Sequence, residues 1–158
     1  MRLERFEMLD DLVEIDPAGG TARFRSRLPQ QSPVFEGHFP GHALLPGVLM
    51  TEIVAQAAGF AHVARAGTGR MPILMAVDRA RFRAPAAPGD RLDVHAWIDA
   101  PGGGYVAGGG WIEVSGRRVC EAALRFRLVE NAAPFADFLR ERAWSLGLPL
   151  PAAEAAAA

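Results

Sequence analysis

One apolar segment, from Gly47 to about Ala66, limits the folds open to this chain more than any other feature. Pro46 precedes it and the breaker-rich stretch 67–72 (GTGRMP) follows it, as at the start and end of a helix. Between Val48 and Ala64 its clearly polar residues are Thr51, Glu52, Gln56 and His62. A surface helix has a wider polar face, so we predict that other structure encloses this helix on most sides.

Segments that alternate apolar and polar residues supply the enclosing structure, because a two-residue period is the signature of a strand. They are Thr21–Leu28, Ile73–Arg83, Arg91–Asp99, Tyr105–Val114 and Arg117–Val129. The glycine-rich stretch 99–110 is expected to be a loop followed by a weakened strand. The predicted order is two strands, an irregular loop, the helix, and three or four antiparallel strands. This is an α+β fold in which one curved antiparallel sheet wraps a long central helix, and its open edges predict a homodimer.

The length of 158 residues suits a single domain that buries roughly two-thirds of its unfolded surface. We assign residues 1–130 to that domain. Residues 131–148 (NAAPFADFLRERAWSLGL) are predicted to form a helical C-terminal extension, and residues 149–158 a flexible tail.

Composition and charge exclude several classes of function. The formal net charge is -1, and the 17 basic residues are all arginine, so no nucleic-acid partner is indicated. Cys120 is the single cysteine, which excludes an internal disulfide and a cysteine zinc site. The charged N-terminal segment lacks the apolar core of a signal peptide, and the apolar runs are interrupted too often to span a bilayer. A cytoplasmic protein without a membrane partner is expected.

His38 is the first candidate for chemistry. It lies between Gly37 and the residues Phe39, Pro40 and Gly41, so turn residues fix its backbone. Histidine exchanges a proton near neutral pH, which suits a general base. A histidine in a loop is also often structural or simply exposed.

Glu52 lies inside the apolar helix, where an unpaired carboxylate costs several kcal/mol or takes up a proton. A function would explain that cost. The structural alternative is a glutamate satisfied by backbone amides or by an arginine such as Arg79 or Arg81. Gln56 lies one turn further along the same face and could orient the carboxylate.

Gly47 begins the helix, where the first amides have no internal partner and a carbonyl oxygen could dock. A glycine at a helix start also needs no functional explanation. A base, an acid in an apolar pocket and a site that polarises a carbonyl together suit removal of a proton beside that carbonyl. If the substrate carries a hydroxyl two carbons away, the reaction is dehydration.

The pair His38 and His42 has a spacing that could suggest a metal site. Pro40 and Gly41 prevent the helix that presents such a pair, so no metal and no cofactor are expected. His62 and His95 fall on polar positions of a helix and a strand, and we assign them no role.

Two segments resemble the 3-hydroxyacyl-[acyl carrier protein] dehydratases of the hotdog fold. They are FEGHFPGHALLPGVLMTEIVAQAAG at Phe35–Gly59 and LMAVDRARFRAPAAPGDRL at Leu74–Leu92. The resemblance implies a double-hotdog dimer with shared active sites, in which His38 of one protomer acts with Glu52 of the other. It also implies that Gly47 binds the thioester carbonyl, that Gln56 holds the glutamate and that Phe39 contacts substrate.

The implied activity is dehydration of (3R)-hydroxyacyl thioesters to trans-2-enoyl thioesters in fatty acid or related lipid or polyene biosynthesis. Related dehydratase-isomerases carry aspartate at the place of Glu52, so glutamate favours dehydration without isomerisation. The implied partner is acyl carrier protein, which Arg79, Arg81 and Arg83 could meet, and the implied assembly is a homodimer or a trimer of dimers. A thioesterase on the same fold and a non-catalytic acyl-thioester binding module remain alternatives. Two departures from the family are the missing His-Arg-Tyr-Pro-Phe segment and the extension from Asn131.

Overall fold

A six-stranded antiparallel sheet wraps one long helix in the computed structural model, which describes residues 1–102 and 104–152. The elements are β1 (Asp11–Asp16), β2 (Thr21–Arg27), α1 (Pro33–Gly37), α2 (Gly47–Ala66), β3 (Arg70–Phe82), β4 (Arg91–Gly102), β5 (Tyr105–Val114), β6 (Arg117–Glu130) and α3 (Ala133–Ser145). The strand order is β1-β2-β4-β5-β6-β3, with every neighbouring pair antiparallel. The predicted architecture, a curved antiparallel sheet around a central helix, is confirmed.

The core lies between α2 and the inner face of the sheet. Twelve residues of α2 are buried, and Ile53 and Val54 are fully enclosed. They pack in one apolar cluster with inward-facing strand residues such as Phe24 and Ile112. Burying a side chain of this size stabilises the fold by about 1.5–3 kcal/mol, so the α2–sheet contact is the main source of stability.

By length and mean hydropathy of 1.3, α2 could cross a membrane, which corrects the expectation that no apolar run is long enough. However, 61% of that segment is buried inside the chain. The core helix of a soluble domain passes the same test, because the sheet provides an apolar environment on most sides.

The loop expected at the start of the glycine-rich stretch 99–110 is largely replaced by strand, whereas the strand expected at Tyr105–Val114 is present. β4 continues to Gly102 and β5 begins at Tyr105, so the two strands form one long hairpin. The glycines of β5 allow the backbone of β4 to approach closely, since a Cβ on Gly110 would lie 2.0 Å from the carbonyl oxygen of His95. They therefore mark tight strand packing rather than a weak strand.

The two edges of the sheet differ in length and chemistry. β1 has six residues, is interrupted by a bulge after Leu12 and carries the acidic residues Asp11, Glu14 and Asp16. β3 has thirteen residues and leaves large apolar side chains exposed, among them Ile73, Met75 and Val77. An exposed edge of that length and polarity is a surface that other chains can pair with.

The C-terminal segment is anchored to the body of the protein. Ala143, Leu146 and Leu148 belong to the main apolar cluster, and the Leu12 amide donates to the Leu146 carbonyl at 3.2 Å. The tail expected at 149–158 lies outside the described residues from position 153 onward.

Candidate active site

His38 lies immediately after α1, a short helix in the region where an irregular loop was predicted. Ser32 caps this helix by accepting a hydrogen bond from the Val34 amide at 3.3 Å. Five residues ending in glycine are too short for a periodic pattern, so the helix was missed. It sets the entry of the chain into the loop that carries His38.

The His38 loop is fixed by its own backbone hydrogen bonds. Phe39 and His42 exchange amide-to-carbonyl bonds of 3.0 and 2.9 Å, and the Leu44 amide donates to the His38 carbonyl at 2.9 Å. The Phe39 ring stacks on the imidazole with centroids 4.1 Å apart. The imidazole is therefore held in one orientation by both chain and ring contacts.

The tautomer of His38 follows from its one side-chain contact. Nδ1 lies 3.1 Å from the Leu44 carbonyl oxygen. A carbonyl oxygen can only accept, so Nδ1 carries the proton, and in the neutral ring Nε2 has a free lone pair. The half-buried His38 is thus prepared to take up a proton at Nε2.

Glu52 is half-buried in the chain, so the expectation of a fully buried carboxylate is wrong for a single protomer. Its face of α2 borders an open cavity instead of packed side chains. Gln56 Nε2 donates to Glu52 Oε1 at 3.0 Å. The structural alternative, in which Arg79 or Arg81 pairs with Glu52, is wrong, because Arg81 lies 3.8 Å from Glu121 and no Glu52–arginine pair is found among the described residues.

Gln56 is itself held by the N-terminal segment. Its Nε2 also donates to the Phe6 carbonyl at 2.7 Å, while its Oε1 accepts from the Met8 amide at 3.3 Å. These contacts could not be predicted from the sequence, since Phe6 and Met8 lie far from Gln56 along the chain. They fix the amide group and so fix the hydrogen that it presents to Glu52.

Gly47 occupies the first position of α2. Leu49 and Met50 donate to the Pro46 carbonyl, whereas the Gly47 and Val48 amides have no partner among the described residues. The Phe82 ring packs against Gly47 so closely that a Cβ there would lie 3.0 Å from it. These free amides at a helix N-terminus can donate hydrogen bonds to the carbonyl oxygen of a ligand.

A cavity of about 490 Å³ adjoins Glu52 and Gln56. Its walls come from α2, from the start of β3 and from two regions that the sequence analysis did not assign to a site. These regions are the N-terminal segment around Phe6 and the face of α3 with Phe135, Phe138 and Leu139. Their spacing along α3 is the periodic signal that could have indicated this face.

The structure therefore separates the candidate residues into two groups within one chain. Glu52 and Gln56 line the cavity, whereas His38, Phe39 and Gly47 do not. The second group is connected through the His38–Leu44 hydrogen bonds and the short segment that leads into α2.

His62, His95 and Cys120 lie outside both groups. His62 is buried and both of its ring nitrogens lack partners, so the reading of its position as a polar one is wrong. Burial, followed by nearby Arg65 and Arg70, lowers its pKa. His95 stacks on Trp111 at 4.6 Å. Among residues 1–102 and 104–152, no group of three or more His, Cys, Asp or Glu side chains could hold a metal ion.

Comparison with known proteins gives consistent similarities. The model of the FabA-like domain matches residues 2–123. The 3-hydroxyacyl-[acyl-carrier-protein] dehydratase FabZ of Symbiobacterium thermophilum is 35% identical over 130 residues, covering 82% of this chain and 91% of that protein. FabZ of Geotalea uraniireducens is 36% identical over 132 residues, covering 80% and 89%.

Solved structures with the same architecture are more distant in sequence. A hypothetical thioesterase from Streptococcus pneumoniae, solved with coenzyme A, superposes with a TM-score of 0.60 at 11% identity, covering 78% of this chain and 88% of that one. AziG of S. sahachiroi superposes with a TM-score of 0.59 at 20% identity, covering 82% and 96%. At these identities the likeness supports the fold alone.

Proposed function

Because this chain belongs to the FabA-like family, we propose that it dehydrates 3-hydroxyacyl thioesters of acyl carrier protein to trans-2-enoyl thioesters in fatty acid or related lipid biosynthesis. The observation that carries the proposal is the setting of Glu52. Its carboxyl group is held by Gln56 at a cavity whose lining is mostly apolar and also includes Arg5, Glu7 and Arg142. That arrangement presents an acid to the hydroxyl of a bound acyl chain, and the FabZ proteins similar to this chain are named for this reaction.

The chemistry divides among three residues. The amide of Gly47 holds the thioester carbonyl oxygen and stabilises the negative charge that develops on it. Nε2 of His38 removes a proton from the carbon beside the carbonyl, and the C2–C3 double bond forms as the C3–oxygen bond breaks. Protonated Glu52 gives its proton to the departing hydroxyl, which leaves as water. The proton taken by His38 then returns to Glu52 through solvent.

The separation of the candidate groups within one chain is explained if the site forms between two protomers. Two β3 edges that pair antiparallel about a two-fold axis place the Phe82 end of one strand beside the Arg70 end of the other. Phe82 packs on Gly47, whereas Met71–Leu74 line the Glu52 cavity. Such a dimer brings the Gly47 and His38 region of one protomer to the cavity of the other.

Acyl carrier protein is proposed to dock at the arginines of β3. Arg79, Arg81 and Arg83 surround Glu121 together with Arg118, and Glu121 accepts from Arg83 at 2.8 Å. The hydrogen bond from Arg83 lowers the pKa of the Glu121 carboxyl, so this group stays ionised. Four guanidinium groups around one carboxylate leave a net positive surface that favours an acidic partner. The proposed location of the enzyme is the cytoplasm.

Product analysis of the purified protein tests the function. We expect interconversion of 3-hydroxyacyl and trans-2-enoyl thioesters, measured by mass and by ultraviolet absorbance of the enoyl group. Release of free thiol without enoyl product would instead show a thioesterase, and binding without any product would show a non-catalytic module.

Substitution and mixing test the residue roles. His38→Ala and Glu52→Gln are each expected to lower kcat about a hundredfold or more, because each removes a general acid or base. Mixing the two inactive variants under conditions of proven subunit exchange is expected to restore part of the activity. A lack of restoration would place the site within one chain, and sedimentation measurements distinguish a dimer from a trimer of dimers.

A further inference from the structure

The cavity beside Glu52 follows α2 for several turns. Glu52 and Gln56 lie at one end, and Gly59, Phe60 and Val63 continue the same face of the helix. From Glu52 to Gly59 the helix rises about 10 Å, which is the length of an extended chain of roughly eight bonds. With its C3 at the Glu52 carboxyl group, a medium-length acyl chain of about ten carbons therefore reaches Gly59, and Phe60 and Val63 line the cavity beyond its end.

Gly59 keeps the middle of this cavity open. Glycine inside a helix costs about 1 kcal/mol relative to alanine. A Cβ at this position would meet only the Pro72 ring, at an ordinary contact distance of 3.6 Å. Packing alone does not require glycine here, and the missing side chain leaves volume beside α2.

The cavity-lining residues of α3 include two exposed aromatic side chains. Phe135, Phe138 and Leu139 line the cavity, and the Phe135 and Phe138 rings lie 5.9 Å apart. Phe138 is 56% exposed although it lies at the wall of an apolar cavity. An apolar ligand would remove this surface from water, which favours binding.

α3 is held in place independently of any ligand. Arg142 donates to the Leu9 carbonyl at 2.6 Å, and Leu139 and Ala143 are buried against the body of the chain. The FabA-like match ends at residue 123, so α3 lies beyond the matched domain. The wall is thus fixed in place and lies outside the residues that match the family model.

We propose that α3 is the wall of the acyl-chain pocket and selects 3-hydroxyacyl substrates with a medium-length apolar chain over short ones. The acyl chain lies between α2 and α3, with Phe135 and Phe138 against its distal carbons and its 3-hydroxyl at Glu52. This assignment rests on the proposed dehydratase function, because it places the hydroxyl at the acid.

The test compares 3-hydroxydecanoyl and 3-hydroxybutyryl thioesters on the full-length protein and three variants. We expect the double variant Phe135→Ala/Phe138→Ala to lower the decanoyl-to-butyryl ratio of kcat/KM at least about tenfold, mostly through KM of the decanoyl substrate. Gly59→Leu, which fills the cavity from α2, is expected to lower the same ratio. Trp144→Ala removes an exposed aromatic from α3 outside the cavity and is expected to leave the ratio as in the wild type.

Parallel losses on both substrates, or an unchanged ratio in the double and Gly59→Leu variants, would overturn this inference while leaving the dehydratase function intact. Binding of the saturated decanoyl thioester, measured by calorimetry, does not depend on turnover. If the wild type has no dehydratase activity, weaker decanoyl binding by the double variant would still support the pocket. Equal binding by the wild type and the double variant would refute it.

Discussion

Gln56→Met is the substitution that most directly tests how Glu52 is positioned. Methionine has nearly the shape of glutamine but cannot replace its three hydrogen bonds, with Phe6, Met8 and Glu52. The Phe6 carbonyl accepts an exposed hydrogen bond, and water can substitute there at little cost. The variant therefore removes the support of Glu52 while it preserves packing.

The expected cost in stability comes from the other two contacts. Met8 is fully buried, and an amide left without an acceptor costs about 1–3 kcal/mol. The bond to Glu52 contributes about 1 kcal/mol more, since the side chain is half-buried and partly compensated by solvent. We expect the free energy of unfolding to fall by about 2–4 kcal/mol.

Urea unfolding at fixed protein concentration and steady-state turnover measure the two consequences. Turnover is expected to fall about ten- to hundredfold because Glu52 is no longer oriented toward substrate. Gln56→Glu retains an acceptor for the Met8 amide, but its carboxylate repels Glu52, so turnover is expected to fall at least as far as in Gln56→Met. Gln31→Met, at an exposed position, is the matched control. A Gln56→Met variant with wild-type midpoint and turnover would refute the reasoning.

Further predictions concern groups outside the site. The pKa of His62 is lower in the folded protein than its ordinary value of 6.5, so below pH 6.5 the unfolded chain binds this proton more readily than the folded chain does. The free energy of unfolding should therefore fall as the pH drops below 6.5. Urea titrations at several pH values should show a weaker fall of the unfolding free energy for His62→Leu than for the wild type. Equal dependence on pH in the two proteins would contradict the role assigned to His62. Gly110→Ala places a Cβ 2.0 Å from the His95 carbonyl oxygen and should destabilise by more than about 2 kcal/mol, whereas Gly69→Ala, in open space, should not. The thermal and urea unfolding midpoints of Gly110→Ala and Gly69→Ala test this difference in stability. Burial raises the pKa of the Cys120 thiol to about 11, so a thiol reagent at mildly alkaline pH should modify it only after unfolding, and rapid labelling of the native protein would be inconsistent with this burial.

Periodicity in the sequence was sufficient to place the main elements. α2 begins at Gly47 and ends at Ala66 as predicted, and β5 occupies Tyr105–Val114 as predicted, because tertiary packing reinforces both patterns. The continuation of β4 to Gly102, where a loop was expected, could not be predicted from the glycines of 99–110. Local propensity opposes a strand there, and pairing across the sheet overrides it.

The candidate site was predictable where chemistry is carried by rare residue types in unusual places. His38 in a glycine-proline loop and Glu52 in an apolar helix met that condition. The hydrogen bonds that Phe6 and Met8 make with Gln56 were not predictable. They use backbone groups, which almost every residue type has. The face of α3 carries an apolar stripe, but such a stripe indicates burial without saying what the helix faces.

The contrast between the two edges of the sheet has a consequence for growth of the assembly. If β3 pairs with β3, the long apolar edge of each protomer is covered in that contact. The edge that remains exposed is then β1, which is short, bulged and acidic. Like charges and the bulge oppose a second junction there. Strand pairing then stops after two sheets. The charge and the bulge of β1 therefore keep concentrated protein from polymerising into fibres.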